Sequence, residues 1–332
     1  MGKGNRILWI DYIKGICMFL VVMSHIPWPE EYRLFFSPIF LTGFFFASGY
    51  TFKDGHKFRE FLLARARTLI IPIITLGCIN AILACIADEK PIWDRLCGLV
   101  IQQAGQWDDL WFVACLFTME ILYYCVSKMT KSLAVRFVLC FIMSILGYVY
   151  ISQYHNIPLV WHFDNACVLI PFFCVGNLLH QSFYLNVLVK YINSNRGYLL
   201  VLLVWILYAI TVVIGNNVSV DIHLREYGNY PIFMLNAIIG VVALFVSVVK
   251  LEQLAVGVVS KTLSFIGQNT LVYYAFQFKA IRLVQIIFSK VQISTFSYVG
   301  NIVSSVLVCL LLAFPACVVK RYFPWCLGRW YK

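Results

Sequence analysis

The chain has 332 residues, of which 61% are hydrophobic and 12% charged, and its formal net charge is +11. A soluble domain carries about twice that charged share and could not hide so much apolar surface. This excludes an ordinary soluble protein, and nucleic acid is not expected as a partner: the basic excess is instead a question of membrane topology.

The first apolar run, 7–27, carries Asp11, Lys14 and His25 and ends in His25-Ile-Pro-Trp-Pro29. A cleavable signal peptide has an uncharged core, so this run is expected to stay as the first helix. Further runs follow at 34–52, 68–87, 108–127, 134–152, 164–183, 197–216, 230–249, 264–288 and 298–319. Each is close to the ~20 residues that cross a hydrocarbon core. The expected fold is an all-α bundle of about ten transmembrane helices in one domain, 1–332, with the lipid bilayer as its solvent. Segment 91–106 is amphipathic and reads as a loop or surface helix. The twelve cysteines are scattered, as at Cys17, Cys78, Cys140 and Cys309, without the spacing of a zinc site or a disulfide scaffold, so no metal is expected.

Basic residues fix the expected orientation. With the N-terminus in the cytoplasm, 18 of the 26 lysines and arginines are cytoplasmic, from Lys3 and Arg6 through Arg65 and Arg67 to Arg329 and Lys332. Only Arg33, Lys90, Arg95, Arg225 and Lys290 fall in outer loops. Both termini are therefore expected in the cytoplasm. The outer segments carry Trp93, Asp94, Gln102, Trp107, Asp108, Asp109, Trp161, Asp164, Asn165 and Tyr227. That mix suits stacking on sugar rings, and equally an interfacial aromatic belt.

Ionisable groups inside a bilayer are costly, so each is a functional hypothesis. Asp11 and Lys14 are three residues apart, and the 11-residue step from Lys14 to His25 returns to within ~20° of the same helix face. All three are expected on one stripe, with a cation in the cytoplasmic half and an imidazole about 16 Å away. Such an imidazole can act as a general base. Arg65 and Arg67, at the start of the third run, suit phosphate recognition through paired donors, and equally an ordinary positive-inside topology signal. Glu120 needs a buried partner, for which Lys14, Lys279 and Arg282 are the candidates. The intramembrane amides, among them Asn269 and Gln277, read mostly as links between helices.

These features fall in an ordered set. The first helix reads Ile10-Asp11-Tyr12-Ile13-Lys14-Gly15, then ten residues, then His25. Then follow Phe45-Phe46-Ala47-Ser48-Gly49-Tyr50, Arg65-Ala-Arg67-Thr-Leu-Ile-Ile-Pro72 and Leu110-Trp111-Phe112-Val113. Pro171-Phe172-Phe173-Cys174-Val175-Gly176 and Gly267-Gln268-Asn269-Thr270-Leu271 complete the set. In this order they resemble the integral-membrane acyltransferase-3 family over about residues 6–280. The chain departs from that pattern at Lys14, where arginine is commoner, and at Gln277, where many members carry histidine.

The resemblance implies an O-acyltransferase that moves an acyl group, most often acetyl, from cytosolic acyl-CoA to a hydroxyl of a cell-envelope or exported carbohydrate. The implied donor is acetyl-CoA or another acyl-CoA, with no permanently bound cofactor. The acceptor is a carbohydrate or lipid-linked glycan, and the location is the cytoplasmic membrane. His25, Asp11 and Lys14 are the expected catalytic residues, and Lys14, Arg65 and Arg67 the expected donor-binding residues. Ser48, Trp111, Glu120, Asn269 and Gln277 are the expected supporting residues. The competing reading is a multi-pass transporter or flippase of a saccharide precursor.

Overall fold

The computed structural model describes residues 6–27, 29–55, 57–88, 92–105, 109–215, 220–254, 257–290 and 297–329. Lys3, Lys90, Trp107, Asp108 and Lys332 lie outside the described residues, as does the expected start of the fourth span at 108.

Helices account for nearly all of the described chain: α1 (Leu8–Ser24), α2 (Glu30–Tyr50), α3 (Phe58–Arg65), α4 (Ile71–Asp88), α5 (Ile92–Ile101), α6 (Trp111–Met129), α7 (Leu133–Gln153), α8 (Phe163–Gln181), α9 (Leu185–Asn193), α10 (Arg196–Gly215), α11 (Tyr230–Leu254), α12 (Gly257–Gln268), α13 (Thr270–Lys290) and α14 (Tyr298–Tyr322). A π-helical turn, Ala66–Ile70, joins α3 to α4 without a break. A 3₁₀ turn, Pro324–Leu327, follows α14. Strand structure among the described residues is limited to one isolated bridge, Asp221 with Glu226.

Among the described residues, eight helical stretches are long and apolar enough to cross a membrane. The expected ten add α1, of only 17 residues, and α2, whose first turns carry Glu30, Glu31 and Arg33. Both are enclosed by other helices: α1 packs against α2, α11, α12, α13 and α14, and α2 packs against α8 and α11. Burial separates centre from rim, at 72% of the span containing α8 against 17% of α10. A helix that is apolar all round, such as α10, needs lipid on most of its surface. The chain is thus a polytopic all-α membrane protein.

The boundaries differ from the sequence expectation in three places. The first span ends at Ser24, because Pro27 cannot continue a helix, and His25 becomes the C-cap. The third span starts at Phe58, ten residues earlier than expected. Residues 264–288 are not one helix: α12 stops at Gln268 and α13 restarts at Thr270. Within the amphipathic segment expected as a loop or surface helix, Ile92–Ile101 forms the helix α5, with Arg95 buried.

Close approach of the central helices depends on glycine. A methyl group on Gly49 of α2 would strike the carbonyl of Phe173 in α8, and one on Gly176 of α8 would strike the carbonyl of Phe46 in α2. The same reciprocal relation joins α1 to α12: Gly15 lies against the Leu263 carbonyl, and Gly267 against the Asp11 carbonyl. Small residues let backbones touch where lipid supplies no hydrophobic drive.

Candidate active site

The face of α1 that carries Asp11, Lys14, Met18, Val21 and His25 borders two cavities. Steps of three and four residues keep these side chains on one stripe. Asp11 and Lys14 border the first cavity, His25 borders the second, and Val21 borders both.

The first, basic cavity has a volume of about 260 Å³. Its polar lining includes Arg6, Asp11, Lys14, Ser48, Gln268, Asn269, Thr270 and Arg329. Arg6 and Arg329 come from the two ends of the described chain, so both ends meet at this end of the bundle. Arg6 Nε donates to Asp11 Oδ2 at 2.5 Å, and Ser264 Oγ donates to the same oxygen at 3.3 Å. The break between α12 and α13 opens the backbone here, and Asn269 Nδ2 donates back to the Phe265 carbonyl at 2.7 Å. The first turn of α13 therefore faces a cavity already lined by cations, where amide groups at a helix start favour an anion.

Beside this cavity Glu120 is buried, and Arg65 Nε lies 2.8 Å from its Oε2. Its ion-pair partner is thus Arg65, where the sequence pointed to Lys14, Lys279 or Arg282. The π turn after Arg65 sets this guanidinium against α6. Lys14 is near enough to feel Asp11, Glu120, Arg6 and Arg65 electrostatically. Three cations and two carboxylates in this group leave one positive charge in excess. Lys279 lies instead 4.0 Å from Asp109, at the other end of the bundle.

Neither Arg65 nor Arg67 lines the basic cavity. Arg67 Nε donates to the Gly328 carbonyl at 2.8 Å, and Thr75 Oγ1 donates to the Cys326 carbonyl at 2.8 Å. These two bonds pin the C-terminal turn that carries Leu327 and Arg329 to the cavity wall. Arg6 and Arg329 were read from sequence only as topology signals, because nothing local marks a chain end as part of a site.

The second, histidine cavity has a volume of about 200 Å³ and is lined in part by Ser24, His25, Arg33, Asp109, Trp111, Asp221, His223 and Phe278. His25 is exposed to it, with its ring 4.7 Å from that of Phe278. The end of α1 is held from α14. Asn301 Nδ2 reaches the carbonyls of Met23, Ile26 and Pro27 at 3.4, 3.4 and 3.1 Å. Sequence reasoning passed over Asn301; the signal was a lone amide in an apolar run.

Asp221 and His223 lie on a hairpin between α10 and α11, and both act electrostatically on His25. The bridge between Asp221 and Glu226 closes this hairpin with two bonds of 2.8 Å. Arg225 Nη1 donates to Asp164 Oδ2 at 3.0 Å, and both side chains are almost fully buried. Asn165 Nδ2 donates to the Ile222 carbonyl at 2.8 Å, and the Tyr227 hydroxyl donates to Asn165 Oδ1 at 2.7 Å. Burial raises the Tyr227 phenol well above its ordinary range, which keeps it a donor. Asp164, Asn165 and Tyr227, expected from sequence to face a sugar or the interface, are thus internal fasteners of the hairpin.

Trp111 lies with its ring 4.9 Å from His162 and 5.1 Å from His223. Trp161, His162 and Arg225 all have left-handed backbone, with φ of 57°, 48° and 64°. Non-glycine residues hold such conformations only where the surroundings over-determine them, and these cluster at functional sites. Among the supporting candidates, Ser48 and Asn269 line the basic cavity and Trp111 the histidine cavity. Gln277 is fully buried and lines neither. No group of three potential metal ligands is found among the described residues.

No curated protein and no solved structure matches the chain. The family model of the acyltransferase-3 domain matches residues 7–317, nearly the whole length. The chain therefore belongs to the acyltransferase-3 family of membrane acyltransferases.

Proposed function

We propose that the protein moves an acyl group, acetyl foremost, from a coenzyme A thioester in the basic cavity to a carbohydrate hydroxyl in the histidine cavity. The observation that carries this reading is that one face of α1 borders both cavities, with Lys14 on one and His25 on the other. A polyanionic donor needs a cationic mouth. Arg6, Lys14 and Arg329 supply it directly, while Arg65 and Arg67 add to the positive field from the same end.

His25 takes the proton from the attacking hydroxyl as general base. The tetrahedral oxyanion collapses with expulsion of the coenzyme A thiolate, and the proton held by His25 passes to the leaving sulfur. Asp11 pairs with Arg6 and acts on the donor side. Asp109, Asp221, Trp111 and His223 give the acceptor wall both carboxylates and rings, a combination that binds sugars by hydrogen bonds and stacking. In this reading the basic cavity opens to the cytoplasm and the acceptor belongs to the envelope side of the cytoplasmic membrane.

His25→Gln tests the assignment, because it keeps a polar side chain of similar reach but removes the base. Envelope glycans from cells expressing the variant should lack the acetyl mass increment that wild-type protein adds, with equal amounts of protein in the membrane. Acetylation at the wild-type level would remove His25 from the mechanism. A glycan that gains no acyl mass even with wild-type protein, but crosses the membrane only when it is present, would favour the flippase reading.

A further inference from the structure

The two cavities share three lining residues: Val21 of α1, Leu41 of α2 and Tyr274 of α13. All three are buried, at 3%, 6% and 7% exposure. By helix rise, Val21 stands about 10 Å along α1 from Lys14 and about 6 Å before His25. The three side chains thus form a septum between the cationic residues and the imidazole. Aromatic rings flank it on both sides. Phe112 packs 5.9 Å from the Tyr274 ring and 5.3 Å from Phe44 toward the basic cavity. Phe40 and Phe278 line the histidine cavity beyond.

On the acyl-transfer reading, this geometry imposes a condition. The anionic part of the donor stays with Arg6, Lys14 and Arg329, but the thioester carbonyl must come within reach of a hydroxyl activated by His25. The acyl group has to pass the septum to do so. An apolar constriction accepts a methyl group readily, and every added methylene must find space in a packed interior.

We propose that Val21, Leu41 and Tyr274 form an acyl-length gauge that restricts the donor to short acyl groups. This rests on the acyl-transfer reading and adds to it the feature that sets donor choice. The specificity lies in a waist shared by three helices and not in the residues that bind the coenzyme.

The test uses full-length protein in native membranes, with labelled acetyl-CoA and butyryl-CoA supplied separately. Label is counted in the membrane glycan fraction, and the quantity read is the ratio of butyryl to acetyl transfer. Leu41→Ala should raise this ratio about tenfold or more, given that one methylene in an apolar pocket is worth roughly 10–200-fold. Val21→Ala gives a second, smaller enlargement should the first variant fail to accumulate, and Val21→Leu should move the ratio the other way. Leu116→Ala is the control, because Leu116 lines only the basic cavity. A ratio unchanged in folded Leu41→Ala and Val21→Ala protein, or raised equally by Leu116→Ala, overturns the gauge while leaving acyl transfer intact. Absence of transfer from either donor by wild-type membranes overturns the acyl-transfer reading itself.

Discussion

Asn301 reaches three carbonyls at the end of α1, where the helix has run out of its own donors. It sits on another helix, is fully buried, and lines neither cavity. On the proposed mechanism it is a positioning residue that acts through His25. Asn301→Leu should loosen that turn and lower kcat about tenfold or more, since small misplacements of a base cost rate steeply. Affinity for coenzyme A should not move, because the basic cavity lies at the far end of α1. Asn301→Gln, which keeps the amide, should recover part of the rate. A variant that loses coenzyme affinity and rate together would mark Asn301 as a general packing residue, and steady-state kinetics with each substrate varied decides between the two.

At the scale of helices, four glycines in the sequence motifs turn out to be two reciprocal contacts, Gly49 with Gly176 and Gly15 with Gly267. In each the obstacle is backbone, which cannot rotate away as a flexible side chain can. Gly49→Ala or Gly267→Ala should cost about 1–3 kcal/mol, the usual range for overpacking. Gly257, with open space around its Cβ position, should accept alanine without loss. Thermal unfolding of detergent-solubilised protein reads this directly: equal Tm values for all three variants would refute the contact assignment.

These contacts also explain what could be read from sequence and what could not. The helices were legible because uniform apolarity over ~20 residues has few other outcomes. The stripe Asp11, Lys14, His25 was legible because helical period is local. The break at Asn269 was hidden, since apolar residues continue on both sides of it. The Arg65 to Glu120 pair joins residues 55 positions apart in sequence, and the hairpin at 220–227 is fastened by Asp164 and Asn165 from another helix. Such partners are set by tertiary packing and leave no trace in spacing.

For the whole molecule the consequence is direction. Arg6 and Arg329 share one cavity, His25 and the hairpin share the other, and a septum stands between them. On the lysine and arginine bias the first end is expected in the cytoplasm. On the proposed acyl transfer, donor and acceptor then never compete for one opening, and the acyl group is the only part that passes from one side to the other. Two exposed positions test this without touching either cavity lining: Lys57, before α3, and Leu224, at the tip of the hairpin. Lys57→Cys and Leu224→Cys are each made in the otherwise native chain, and right-side-out vesicles are treated with a membrane-impermeant maleimide. Leu224→Cys should take one label more than the parent protein in intact vesicles. Lys57→Cys should do so only after the membrane is opened. Labelling of Lys57→Cys from outside would reverse the protein in the membrane and put the basic cavity beyond the reach of cytosolic coenzyme A. The donor would then have to be an envelope-side acyl compound.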